Sequence, residues 1–268
     1  LYRLFYLLAS LLPSAASACL QLGGEPVQGA LLWGRVESGW REAYLGEERL
    51  RISPGGIVVF GFGRDETGSV QLRLVGGREA ACTTTLTIRA RRYPTSRVEG
   101  VPPRTVTPDP EHLERIRRER ELVRAAKAGG SDRADFARGF QWPLTGRISG
   151  VYGSRRIYNG RPGSPHYGVD VARPAGTLVG APAAGVVVLA EPDLFFSGGT
   201  VIVDHGAEVS SSLLHLSEVS VAVGQRVEAG DIVGRVGATG RATGPHLDWR
   251  MSWRDRRVDP QLLVPPMP

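Results

Sequence analysis

The chain of 268 residues is long enough for about two ordinary domains. A hydrophobic share of 41% can fill globular cores, while 35 Gly and 19 Pro argue against long helices and for short strands joined by turns. The formal charge of +6, carried by Arg far more than by Lys, suits an anionic partner such as an acidic envelope polymer. No recognition helix, zinc-finger spacing or aromatic-basic stacking pattern is evident, so nucleic acid is not expected.

Residues 1–18 read as a secretion signal. Arg3 supplies the charge, 4–12 an apolar run too short to span a bilayer comfortably, and Ala16-Ser17-Ala18 a small-residue cleavage site. A buried N-terminal helix is the competing reading, and Pro13 with the small residues breaks its pattern. Once the signal is removed no transmembrane segment is expected. The mature chain would begin near Cys19, which with Cys82 makes up the cysteine complement. Export permits a Cys19–Cys82 disulfide, which would tie the terminus to the first domain. Lipid attachment at Cys19 is the alternative, disfavoured because Ala16 stands where a larger aliphatic residue is usual.

Residues 19–92 alternate apolar and polar residues in short bursts: Ala30-Leu31-Leu32-Trp33, Ile57-Val58-Val59-Phe60, Val70-Gln71-Leu72-Arg73-Leu74 and Thr85-Leu86-Thr87-Ile88. Turns such as Ser53-Pro54-Gly55-Gly56 and Val75-Gly76-Gly77 separate them, which predicts a small antiparallel β-sandwich. Gly61-Phe62-Gly63-Arg64-Asp65 reads as a strand exit, because no helical pattern follows it as a phosphate loop would require.

Residues 93–139 form a connector. Pro94, Pro102, Pro103, Pro108 and Pro110 suit an extended linker, and 111–127 read as a helix with Asp109 as N-cap and Pro110 in the first turn. Leu113, Ile116 and Val123 give that helix one thin apolar stripe, so a solvent-exposed connector lying against one domain is expected over a partner-binding helix, with His112 facing water. Gly129-Gly130-Ser131 ends it.

Residues 140–268 return to short Val-rich strands, among them Gly185-Val186-Val187-Val188-Leu189, Thr200-Val201-Ile202-Val203-Asp204, Ser212-Leu213-Leu214-His215-Leu216 and Asp231-Ile232-Val233-Gly234-Arg235-Val236. The fold class is therefore mainly β, with an N-terminal small β-sandwich, a charged helical connector and a second β domain.

Histidine is scarce, with 5 residues, and 3 of them fall in His166-Tyr167-Gly168-Val169-Asp170, in His246-Leu247-Asp248-Trp249 or in the Leu214-His215-Leu216 between them. If both segments are strands, His166 projects with Asp170 and His246 with Asp248. A catalytic zinc site keeps three protein ligands and an open position. His166 and Asp170, with Asp248 or His246, could supply them, leaving the other imidazoles for proton transfer. His205 and the exposed-helix His112 read as structural or surface residues. Arg156 and Asn159 are candidates to line a groove, Asn159 equally a turn residue. Trp249 and Trp253 alternate away from that face and are expected to pack beneath the sheet.

These segments resemble the lysostaphin and LytM-type zinc metallopeptidases of cell-wall metabolism, over about residues 140–260. The resemblance rests on His166-x-Gly168-x-Asp170, His215-Leu216-Ser217 at a strand end, and Gly240-Arg241-Ala242-Thr243-Gly244-Pro245-His246-Leu247-Asp248-Trp249. Ala181-Pro182-Ala183-Ala184-Gly185 and Val223-Gly224-Gln225-Arg226-Val227 match too. It implies an antiparallel β peptidase domain with a groove over its sheet. One Zn2+ would be held by His166, Asp170 and the residue at 248, with His215 and His246 catalytic. At the third-ligand position, usually His, this chain carries Asp248. An oxygen donor can still bind zinc, yet a second carboxylate cancels the ion's charge, weakens acidification of bound water and loosens preference for zinc over other divalent metals. The implied function is an exported, monomeric endopeptidase acting on peptidoglycan peptides in the periplasm or envelope of a Gram-negative bacterium. The alternative is a catalytically weak wall-binding relative that activates another hydrolase.

Overall fold

The structure is a computed structural model that describes residues 20–76 and 81–267, with the side chains of 103 and 104 excepted. The signal assigned to 1–18, Cys19 and the turn residue Gly77 lie outside the described residues. Cys82 is disulfide-bonded.

The first half builds two antiparallel sheets. One joins Leu22–Gly23, Leu31–Arg35 and Ile57–Gly61; the other joins Glu48–Leu50, Trp40–Leu45, Gly68–Gly76 and Ala81–Ile88. Gly68–Gly76 and Ala81–Ile88 each bury about every second side chain toward the core and leave the rest exposed, the pattern of a half-solvated sheet. Ile57–Gly61 is buried along its whole length, which explains its unbroken apolar run. Its outer face lies against the second half of the chain, where a Cβ on Gly61 would stand 2.8 Å from Val258 Cγ1. The two halves thus share one continuous core. Phe60, Phe62, Trp249, Trp253 and Val258 are all within it, and Arg254 and Arg256 pair with Glu48 across the junction.

The second half is a large antiparallel sheet. Its strand order is Arg226–Val227, Gly185–Leu194, Gly198–Gly206, Val209–Val219, His246–Trp253, Val169–Ala172 and Arg147–Gly150. Leu178–Gly180 and Ile232–Val236 form a pair that joins the far end of Val209–Val219. Trp249 and Trp253 are fully buried on the underside, as their alternation implies. His205 is a core residue: its Nδ1–H donates to the Ala184 carbonyl at 2.7 Å and its Nε2 accepts from Ser211 Oγ–H at 2.8 Å. Burial pushes its pKa down to about 4, so the ring stays neutral and both bonds persist.

The Pro-rich segment is extended, yet it does not hang free. Thr95–Val98 pairs in parallel with Arg155–Tyr158, and Asn159 closes the following turn at φ 48° while its side-chain amide donates to and its carbonyl accepts from the Val101 backbone. This contact settles Asn159 as a turn residue. The helix runs Pro110–Ala128 with Asp109 at its N-cap position and Gly129 at its end, although the Asp109 side chain makes no capping bond. Its inner face is docked: Ile116 is buried, and Val123 and Ala126 pack on Leu189, Leu194 and Ile202. Leu113 is left outside, 48% exposed. His112 departs from its expected place in water, since its ring stacks 5.0 Å from that of Phe195.

Candidate metal centre and catalytic cleft

Strand register brings the predicted residues together. Asp170 on Val169–Ala172 sits directly opposite Asp248 on His246–Trp253, and Ala172 opposite His246. His246 and Asp248 share a face by strand alternation, as expected. His166 gets there differently: it lies in the irregular stretch before Val169–Ala172, held by its backbone N–H to Ser154 O at 2.9 Å and its carbonyl to Gly153 N at 2.7 Å. The strand-face expectation for His166 is thus corrected, and its convergence with Asp170 comes from a loop anchored to the 151–154 turn.

His215 also owes its place to an irregularity. It sits within Val209–Val219 rather than at its end, at φ 65°, a left-handed conformation costly for a non-glycine residue. There the strand exchanges neighbours: 209–214 pair with His246–Trp253, whereas 216–219 pair with Ile232–Val236. The bulge aims the imidazole into the cleft, with its ring 4.8 Å from that of His246.

His166 Nε2 lies 3.0 Å from Asp170 Oδ1, and both atoms are buried with no hydrogen-bond partner. Two orphaned donors aimed at one point are what a cation site requires, since ligands about 2.0–2.2 Å from a tetrahedral ion stand a little over 3 Å apart. Donor atoms of His166, Asp170 and Asp248 all lie within 4.8 Å of one another. The three are 5%, 6% and 2% exposed.

Two arginines complicate this set, and sequence reading underrated both. Arg156 Nη2 donates to Asp170 Oδ2 at 2.6 Å, leaving Oδ1 for the His166 side. Arg250 claims both oxygens of Asp248, Nη2 to Oδ2 at 2.5 Å and Nε to Oδ1 at 3.1 Å. The signal for Arg250 was its position two residues after Asp248, on the same strand face. Burial alone would raise both carboxyl pKa values. His166 with Arg156 and His246 reverses this at Asp170, and Arg250 with His166 reverses it at Asp248, so both carboxyls are held below their usual range. The residues fit a divalent cation at His166 and Asp170 outright, and at Asp248 in competition with a guanidinium.

The catalytic-histidine candidates present their Nε2 lone pairs inward. His215 Nδ1–H donates to Thr239 O at 2.8 Å and His246 Nδ1–H to Gly244 O at 2.8 Å; a carbonyl can only accept, so each ring is fixed as the Nδ1–H tautomer. His215 Nε2 is then 4.0 Å from Asp248 Oδ2 and His246 Nε2 3.9 Å from Asp170 Oδ1. Burial pushes the His215 pKa down to about 4. The cleft has a volume of about 700 Å³, with Tyr158, Phe196 and Arg241 along one wall and the docked 96–101 segment beside them. Arg241 stacks on both Tyr158 and Phe196, 4.8 and 5.0 Å from the ring centres.

Gly168 permits the close approach of these parts. A Cβ there would collide with Asp248 Oδ1 and stand 2.6 Å from both Trp249 O and Arg250 Cγ. Gly168→Ala should therefore displace Asp248 and cost about 1–3 kcal/mol of stability. Metal content by mass spectrometry and a thermal melt check this; wild-type values for both would show that the loop yields instead.

With this geometry in hand, comparison with known proteins is decisive on family. The model of peptidase family M23 matches residues 164–260. A crystal structure of a Pseudomonas aeruginosa protein described as an M23 peptidase aligns with a TM-score of 0.64 at 31% identity, over 88% of this chain and 93% of that one. The chain belongs to peptidase family M23. Vibrio cholerae ShyA, named a peptidoglycan DD-endopeptidase, is 38% identical over 122 residues, 45% of this chain and 28% of ShyA. The Neisseria meningitidis DD-carboxypeptidase/endopeptidase Mpg is 38% identical over 103 residues, 38% of this chain and 24% of Mpg. The matched segment thus spans about a quarter of the length of these curated relatives.

Proposed function

We propose that this chain is an exported, metal-dependent endopeptidase that hydrolyses peptide bonds in peptidoglycan stem or cross-bridge peptides of a Gram-negative envelope, working as a monomer. The observation that carries this reading is the pair of orphaned donors, His166 Nε2 and Asp170 Oδ1, faced by the imidazoles of His215 and His246, whose Nε2 atoms open on the same cleft. The names of ShyA and Mpg supply the substrate class.

His166, Asp170 and Asp248 would hold one divalent cation, Zn2+ or another. When bound, such a cation supplies Lewis acidity toward a peptide carbonyl and toward water. The protein's own part is proton movement. One of the two rings, His215 or His246, accepts a proton at Nε2 as the water oxygen bonds to the carbonyl carbon, and the proton is returned to the leaving amine as the C–N bond breaks. Burial makes the charged form of His215 costly, which favours passing the proton on. The docked segment 96–101 and the Tyr158–Arg241–Phe196 wall would hold an extended peptide against these groups.

One observation favours a second reading, a weakly catalytic wall-binding relative that activates another hydrolase. Arg250 already neutralises Asp248, so the third ligand is occupied when no metal is bound. Both readings meet one experiment: purified wall sacculi are incubated with the chain, with and without a chelator, while bound metal is counted. Release of peptide fragments that the chelator abolishes supports the endopeptidase. Metal-free protein that binds sacculi and releases nothing supports the second reading.

A further inference from the structure

The catalytic face of the sheet does not end at Asp248. On His246–Trp253 the side chains of His246, Asp248, Arg250 and Ser252 alternate onto one face, and on the neighbouring strand Leu214, Ser212 and Ser210 stand opposite Asp248, Arg250 and Ser252. The helix Pro110–Ala128 roofs the far end of this face. Between them lies a second cavity of about 650 Å³, with apolar walls from Ile116, Val123 and Ile202. It is continuous with the catalytic cleft, since Arg120, Phe196, Ser197, Leu214, Arg250 and Arg257 line both.

Arginines and Lys127 outnumber the carboxylates of Glu119, Glu208 and Asp255 in the lining of this cavity. Lys127, the only lysine of the chain, donates from Nζ to Ser252 Oγ at 3.1 Å, and Arg257 Nη1 donates to the same oxygen at 2.8 Å. Ser252 is 1% exposed. With both lone pairs of its oxygen engaged by cations, its hydroxyl proton points elsewhere, and among the described residues no hydrogen bond receives it. Ser212 Oγ, 4% exposed, also has no partner. Arg250 is satisfied by Asp248, Arg254 by Glu48 and Glu208. Lys127 and Arg257 have no carboxylate within ion-pair reach among the described residues. Lys127 and Arg257 are half-buried; a largely desolvated cation without an anion is costly, and desolvation with the nearby Arg257 and Arg250 holds the Lys127 pKa well below its ordinary value.

We propose that this cavity is a substrate subsite that takes a carboxylate of the peptide, received by Lys127, Arg257 and the Ser212 hydroxyl, with Ser252 beneath them fixing the two cations. This rests on the peptidase reading and adds a specificity to it. Ser252 lies four residues along the strand from Asp248, about 13 Å at the usual rise, so the recognised carboxylate lies about four extended residues from the bond to be cut. The helix that carries Lys127 is then a working wall of the site, not only a connector.

The test is calorimetric titration of the full chain with N-acetyl-dialanine bearing a free C-terminal carboxylate, and with its C-terminal amide. The acid should bind at least about tenfold more tightly than the amide, the weight of one charge-assisted hydrogen bond. Lys127→Met should lose that preference while melting no lower than wild type, because it removes a half-buried charge that no carboxylate pairs. Equal binding of acid and amide, no binding of either, or undiminished preference in Lys127→Met would overturn the proposal. His215→Ala should bind the acid as wild type does. Intact binding without any hydrolysis by the wild type would therefore fault the peptidase reading and not the pocket.

Discussion

Replacing His215 by Ala should lower peptide-bond hydrolysis by about 100- to 10,000-fold, the range for loss of a positioned acid–base group, with bound metal unchanged. The imidazole lies beside the candidate metal centre without belonging to it: its Nε2 is 4.0 Å from Asp248 Oδ2, and its Nδ1–H is spent on Thr239 O. Losing that one hydrogen bond should cost only about 0.5–1.5 kcal/mol. Ala inherits the same left-handed backbone, so neither side chain gains there. Assays on peptidoglycan fragments, metal counting and a melt separate the outcomes. Normal turnover removes His215 from the chemistry; lost metal would make it a ligand. For the wild type, a folded pKa of about 4 keeps the base form of His215 populated from neutral pH down to about pH 4. The acid limb due to this residue should accordingly lie near 4 and not near the ordinary histidine value of 6.5.

Arg250→Met is the second large effect, and it has opposite signs with and without metal. In the metal-free protein the substitution strands the Asp248 carboxylate, buried and unpaired, at a cost of about 3–5 kcal/mol. A divalent cation then restores the missing positive charge on two freed oxygens. The variant should melt well below wild type in chelator, gain more from added Zn2+ than wild type does, and bind it more tightly by titration. Affinity no greater than wild type would show that Asp248 is not a ligand. Arg156 at Asp170 is a different case, since it engages Oδ2 and leaves Oδ1 toward His166; the competition is confined to the position where this chain carries Asp248.

The contrast between Arg156 and Arg250 also marks how far residue types and spacing could reach. Strand existence in both halves was legible, because turn residues bracket short apolar bursts and because side-chain alternation has a period of two. The same periodicity placed His246 and Asp248 on one face and sent Trp249 to the other. It failed at His166, which stands outside the strand, and at His215, whose bulge reverses the direction that alternation assigns. The helix was legible from Asp109, Pro110 and Gly129, and Ile116 and Val123 of its apolar stripe do dock, but the polar anchors that hold it were not legible. Its anchors include Arg115 on Asp193 and the Phe195 N–H on Glu119, contacts between residues far apart in the chain that no local pattern announces.

What the sequence by itself determined is the local vocabulary: the β-rich class, the helix limits, and the five residues offered for a metal peptidase site, with Asp248 as the departure. The class and the helix limits follow from near-neighbour physics and backbone preferences, while the five site residues follow from three short segments, around 166–170, 215–217 and 240–249, that resemble a known family. Only the tertiary structure decided which atoms of those residues are free. It set Asp170 opposite Asp248, fixed the His215 tautomer with the Thr239 carbonyl, and laid Lys127 over Ser252, all contacts across many residues. Arg250 on Asp248 and His246 on the Gly244 carbonyl join near neighbours, yet the burial that makes them matter, and the energy of a buried charge with it, exists only once the chain has folded.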